Sequence, residues 1–184
     1  MENKSLLPMS KLLAILGGLF WTIFHIWLAS TGTGIPDNIQ LIAFPALGAA
    51  FFFIALLGFY RSGNLGKAGK GSALVTMIGL GIFTTGAFIA AFLWNGAWLI
   101  AILGELIISG GLVFFSLAAW GEKFLTRFNA LPLLMTIVYI PSWITTPPSP
   151  PFPSYFEHWL AAVYGVGWIL LGILLPRGSD AWDG

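Results

Sequence analysis

One carboxyl group, Glu105, and one imidazole, His25, stand inside long stretches that otherwise carry no charge. In hydrocarbon such groups cost a few kcal/mol on insertion scales, so an intramembrane carboxylate needs a compensating partner and marks a proton or ligand site by default. Glu105 falls about eight residues, roughly 12 Å, from the outer end of its helix. His25 sits at comparable depth, so the two are expected to meet if their helices are neighbours. Thr22 and Ser109 occupy adjacent turns, and Tyr139, Ser142 and Tyr164 fall in the same half. The expected constellation is a polar cluster open to the outer face, with Glu105 as proton carrier or ligand anchor and His25 as its partner. The competing reading is a hydrogen-bonded Glu105 that only locks two helices together.

His25 and His158 are the only histidines, and both lie toward the same face. As axial ligands they would hold a b-type haem between the first and sixth helices. A solvated His158 beside Glu157 needs no cofactor, however, and the chain has no cysteine for covalent attachment. The two imidazoles and one buried carboxylate follow no metal-ligand spacing, so no metal is expected. Arg61 to Ser72 has the glycines and lysines of a phosphate cradle without its spacing: Gly71 follows Lys70 where Ser or Thr is needed, and no strand precedes it. It reads as a basic connector beside anionic lipid heads. A membrane-embedded enzyme is the weakest class, because neither a nucleophile with its base nor a metal set is present.

These residues need elements to hold them in hydrocarbon. The 184-residue chain is 58% hydrophobic and 8% charged, with a mean hydropathy of +0.89, against about a quarter charged in soluble domains. With 8 Lys+Arg, 7 Asp+Glu and no cysteine, it is not a nucleic-acid-binding module, a disulfide scaffold or a disordered tail. The uncharged intervals predict an all-α polytopic protein, a single domain over 1–184, with six spans of about 20 residues: Leu12 to Ser30, Ile39 to Tyr60, Ser72 to Trp94, Ala97 to Trp120, Phe128 to Ile144 and Trp159 to Leu175. Asn95-Gly96, flanked by Trp94 and Trp98, is the turn between the third and fourth. The proline-rich run Thr145 to Ser154 separates the fifth from the sixth as a stiff connector. The length and aromatic content of the first span argue against a cleaved signal peptide.

The loops give an independent count. Lys4, Lys11, Arg61, Lys67, Lys70, Lys123, Arg127 and Arg177 all fall on one side of this topology, and Asp37 and Glu157 on the other. Positive residues stay inside, so both termini are expected in the cytoplasm, in the cell membrane.

The two halves resemble each other. Leu12 to Leu19 matches Leu99 to Leu106; Ala43-Phe44-Pro45 matches Ala130-Leu131-Pro132; Gly79 and Gly86 match Gly165 and Gly172 at nearly the same offset. Three spans per half make this a 3+3 inverted-topology repeat, residues 1–94 and 97–184, an architecture found in many carriers. The glycine pairs, with Gly104 and Gly111, are two turns apart and form smooth stripes for close helix packing. Pro45 and Pro141 are expected to kink the second and fifth helices.

Gly58-Phe59-Tyr60-Arg61, closing the second helix before a glycine-rich basic loop, resembles a feature of uncharacterised small six-helix prokaryotic membrane proteins. The resemblance covers the first two to four helices. It implies a cytoplasmic-membrane location, with no activity and no catalytic residues to carry over. The functional expectation is a small carrier or ligand-binding protein; the alternative is a non-catalytic subunit or scaffold of a larger membrane complex. Its partners are then the lipid bilayer, a small-molecule ligand, and a membrane protein or a second copy of the chain, with no nucleic acid.

Overall fold

The computed structural model describes residues 6–31, 39–61, 65–122, 125, 128–144 and 156–174. They form six α-helices and no strand: α1 (Leu6–Thr31), α2 (Ala43–Arg61), α3 (Lys67–Phe92), α4 (Trp98–Gly121), α5 (Leu131–Ile144) and α6 (Phe156–Leu174). Short 3-10 turns at Ile39–Ile42 and Asn95–Ala97 precede α2 and α4. Five helices, all but α5, are long and apolar enough to cross a membrane. With 14 residues, α5 is about 21 Å long at the helical rise, short of the roughly 30 Å of a hydrocarbon core.

Each helix packs on the next, and α6 returns to α1, which closes the bundle into a ring. Every neighbouring pair is antiparallel. Gly17 meets Phe52 while Trp21 meets Gly48, and Thr136 reaches the Leu112 carbonyl while Ser116 reaches that of Pro132. Gly172 lies on Lys11 while Gly165 lies on Thr22. The ring therefore has two faces. One carries the Asn95 turn, the end of α1 and the start of α6; the other carries Arg61, Lys67 and Lys70, and the end of α6. Asp37, Lys4, Lys123, Arg127, Arg177 and the proline-rich run lie outside the described residues.

Helix α1 begins at Leu6, six residues before the expected start, and α6 at Phe156, three before; three further differences from the sequence reading have a local cause. Pro45 is the third residue of α2, where its missing N–H has no intrahelical acceptor to lose, so it starts the helix instead of kinking it. Pro141 does lie inside α5. Phe128, expected to begin the fifth span, has φ 55°. That left-handed backbone cannot lead into a helix, and α5 begins three residues later with Pro132 in its first turn. Finally, α3 begins at Lys67, inside the segment read as a connector. Glu122, at the end of α4, accepts a 2.8 Å hydrogen bond from the Gly66 backbone N–H and places its carboxylate at the α3 N-terminus, where an anion is favoured. A Cβ at Gly66 would strike that carboxylate.

Small residues set the helix spacing. At the α3·α4 crossing a Cβ on Gly104 would lie 2.7 Å from Phe83 Cα, and one on Gly79 2.6 Å from the Ile108 nitrogen. At the α1·α6 crossing a Cβ on Gly165 would lie 2.8 Å from the Gly18 carbonyl oxygen. Backbones are in contact at both places, the approach that stabilises helix pairs where lipid provides no hydrophobic drive. The α4·α5 contact is tied by hydrogen bonds instead: Ser116 and Thr136 bond each other, and Thr136 also donates toward the Pro132 carbonyl at 3.0 Å. Outside the ring, Ile23, Leu99, Phe114 and Ile137 expose apolar side chains, as lipid contact requires.

Candidate functional site

The inside of the ring is an aromatic cluster to which the helices contribute in turn. Trp21 of α1 packs on Phe52 of α2, Phe83 of α3 and Tyr164 of α6, with ring centroids 5.9, 5.9 and 6.0 Å away. Tyr139 of α5 lies 4.5 Å from Tyr164, and Trp168 stacks on Phe52 at 4.3 Å. These rings are almost completely buried. Among the described buried side chains, Trp21 Nε1, Trp168 Nε1, Tyr139 Oη and His25 Nε2 have no hydrogen-bond partner. An unpaired buried polar group costs about 1–3 kcal/mol.

Glu105 is the eighth residue of α4 and is partly buried. With Ser109, Leu112 and Ser116 it lies at the i, i+4, i+7, i+11 spacing of one helix side, and Leu112 and Ser116 are the residues that bond α5. That side of α4 faces α5, and Tyr139 of α5 lies against Tyr164 of α6. Glu105, Tyr139, Tyr164 and Trp21 thus stand in the half of the bundle nearer the Asn95 face, while Trp168, six residues from the end of α6, stands nearer the Arg61 face.

No family model, curated protein or solved structure matches the chain. Its chemistry is therefore read from the side chains alone.

The expected contact between Glu105 and His25 is not made. α1 and α4 do not adjoin in the ring, and His25 Nδ1 instead lies 3.2 Å from His158 Nδ1 of α6. Thr22 donates a 3.2 Å hydrogen bond to the Ala162 carbonyl, which fastens α1 to α6. Ser109 is buried on the Glu105 side of α4, and Ser142 turns back to the Tyr139 carbonyl at 2.6 Å. Of the expected residues, Tyr139 and Tyr164 are in contact and Glu105 stands on the side of α4 that faces α5; Thr22 and His25 belong to the α1·α6 seam.

The haem arrangement does not fit the two imidazoles. Axial nitrogens on one iron stand about 4 Å apart with the macrocycle between the rings. Here the rings face each other directly, with centroids 5.4 Å apart. Among the described residues no group of three His, Cys, Asp or Glu side chains gathers at metal-binding distance. Trp21 and Trp168 were not singled out by sequence reasoning. The signal for them was their position, since each falls on the same helix side as a glycine packed into a neighbouring helix, Gly17 and Gly165.

Proposed function

We propose that this chain is a small carrier or ligand-binding protein of the cell membrane, with both ends in the cytoplasm and a polar site formed by Glu105, Tyr139, Tyr164 and Trp21. The observation that carries the reading is the pair of unpartnered buried atoms, Tyr139 Oη and Trp21 Nε1, in the same half of the bundle as an intramembrane carboxyl. Groups of this kind are retained in hydrocarbon where a polar guest or water satisfies them during function. The guest is small and polar, and it offers a hydrogen-bond acceptor to the Trp21 N–H and a donor to the carboxyl.

Duplication of a three-helix unit is the second part of the proposal, and the close contacts support it. Gly79 meets the Gly104 carbonyl and the Ile108 nitrogen as Gly165 meets the Gly18 carbonyl and the Thr22 nitrogen. Gly86 meets Ile100 and Ala101 as Gly172 meets Ala14 and Ile15, and Gly104 meets the Phe83 nitrogen as Gly18 meets that of Ile169. Each residue of one crossing is 86 positions from its counterpart in the other. Chance similarity among glycine-rich helices gives matching letters but not matching contacts. Inverted repeats place sites at the interface of the two units, and Glu105 belongs to α4, the helix of the second unit that adjoins α3 of the first.

A thermal-shift screen of detergent-purified protein against small amines, carboxylates, amides and alcohols tests the site. Compounds that stabilise wild type should lose that effect in Glu105→Gln and in Tyr139→Phe. Equal stabilisation of both variants by every hit overturns the assignment.

A further inference from the structure

On the lipid-facing side of the α3·α4 pair a groove of about 420 Å³ runs between Ala68, Ser72 and Val75 of α3 and Gly111, Phe114 and Ala118 of α4. We propose that this groove binds one anionic phospholipid from the leaflet at the Arg61 face, with an acyl chain lying between the two helices and the headgroup phosphate held by Lys67.

The groove follows from side-chain size. A Cβ on Gly111 would lie 2.7 Å from the Thr76 nitrogen, so the two backbones touch at its deep end. Toward the start of α3 and the end of α4, Ala68, Ser72 and Ala118 are too small to fill the space between the helices. Val75, Phe114 and Leu117 are exposed and form its walls. From Ala68 to Val75 the groove extends about 10 Å along the helix, within the roughly 15 Å of hydrocarbon in one leaflet. Its one side-chain hydroxyl, Ser72 Oγ, is spent on the Ala68 and Gly69 carbonyls at 2.9 and 3.1 Å. Such a lining suits an acyl chain and no polar ligand.

Charge selects the lipid. Lys67 is the first residue of α3, exposed, and one position before Ala68 at the mouth of the groove. Its long apolar stem can lie along the wall while the ammonium reaches headgroup level. Among the described residues no ion pair engages it. The anion at this end, Glu122, takes the Gly66 N–H and lies against the buried Gly69. At about 100° per residue, Gly69 and Lys67 flank Ala68 on opposite sides, so the carboxylate is turned to the interior and Lys67 to the lipid. Lys70 is about 200° round the helix from Ser72, on the far side from the groove. An apolar groove with one cation at its mouth is complementary to a lipid with an anionic head.

Native mass spectrometry of detergent-purified full-length protein tests the site, with dioleoyl phosphatidylglycerol and dioleoyl phosphatidylcholine titrated in parallel in about 0.15 M ammonium acetate. Wild type should hold one phosphatidylglycerol per chain about fivefold more tightly than phosphatidylcholine, the worth of one cation at headgroup level. Lys67→Gln should abolish that preference. Lys70→Gln should keep it, because the far side of a helix lies beyond the Debye length of about 8 Å. Ala68→Leu combined with Ala118→Leu fills the groove and should release both lipids. Glu105→Gln should retain phosphatidylglycerol as wild type does, which separates this site from the proposed ligand site. Equal retention of the two lipids by wild type, equal effects of Lys67→Gln and Lys70→Gln, or undiminished binding by the filled-groove variant would overturn the proposal. So would a wild-type dimer that is lost when the groove is filled, since a second copy of the chain would then be the occupant. The comparison of the two lipids is read on wild type alone, so it stands even where a variant fails to fold.

Discussion

Replacing Gly104 with alanine puts a methyl group 2.7 Å from Phe83 Cα. Ordinary carbon–carbon contact is about 3.5–4.0 Å, so α3 and α4 must part by about 1 Å. The neighbouring atom is backbone and cannot swing away, and the separation is felt along the whole crossing, including Gly79 and Gly86. Overpacking of this kind costs about 1–3 kcal/mol. A methyl group on Gly110, six residues on, would meet nothing within 4 Å, so alanine there stabilises by about 0.4–1 kcal/mol through the unfolded chain. The two variants should therefore differ by about 1.5–4 kcal/mol, with Gly104→Ala the less stable. Reversible unfolding in mixed dodecyl maltoside and SDS micelles measures the difference. Gly18→Ala, at the corresponding place on the α1·α6 seam, should match Gly104→Ala in direction and size. If Gly104→Ala proves as stable as Gly110→Ala, backbone contact does not set the helix spacing, and the correspondence between the two crossings loses its physical meaning.

Tyr139→Phe removes a buried hydroxyl with no partner, so the variant should be about 1 kcal/mol more stable than wild type in the same micelle assay; a loss of stability would show that the hydroxyl is satisfied. Glu122→Ala should cost about 0.5–2 kcal/mol by leaving the Gly66 N–H and the α3 N-terminus without their carboxylate. In a double-mutant cycle Gly66→Ala should be markedly less harmful in the Glu122→Ala background, and additive effects would separate the two residues. Thr136→Val should weaken the α4·α5 contact by about 0.6–2 kcal/mol, read by the same unfolding. Because the chain has no cysteine, single cysteines at Asn95 and Gly121 report sidedness directly: an impermeant maleimide on whole cells should label only the first, and the reverse pattern refutes the orientation.

Hydropathy and charge spacing made the helices legible, since both follow from what hydrocarbon tolerates and neither depends on packing. The Asn95 turn, the antiparallel order and the residues of the glycine stripes could be read in the same way. Helix adjacency could not. Glu105 and His25 share a depth, and depth is written in the sequence, but α1 borders α2 and α6 in the ring, which gives His25 to His158 and leaves Glu105 on the side of α4 that faces α5. Tertiary capping was equally hidden: nothing near Gly66 announces that a carboxylate 56 residues later will start α3. Pro45 shows the same limit on a smaller scale, because a proline within the first turn and a proline one turn further on look alike in composition and have opposite effects on a helix.

Closure of the ring by α6 has a consequence for biogenesis. α1 leaves the ribosome first, yet its largest glycine seam is completed only by the last helix, whose first residue follows the end of α1 by more than 120 positions. At about 5–20 residues per second this is a delay of roughly 6–25 s. Throughout that time Gly18 and Thr22 face lipid or the insertion machinery. A nascent chain halted before α6 is thus an open horseshoe whose glycine rim has no partner helix.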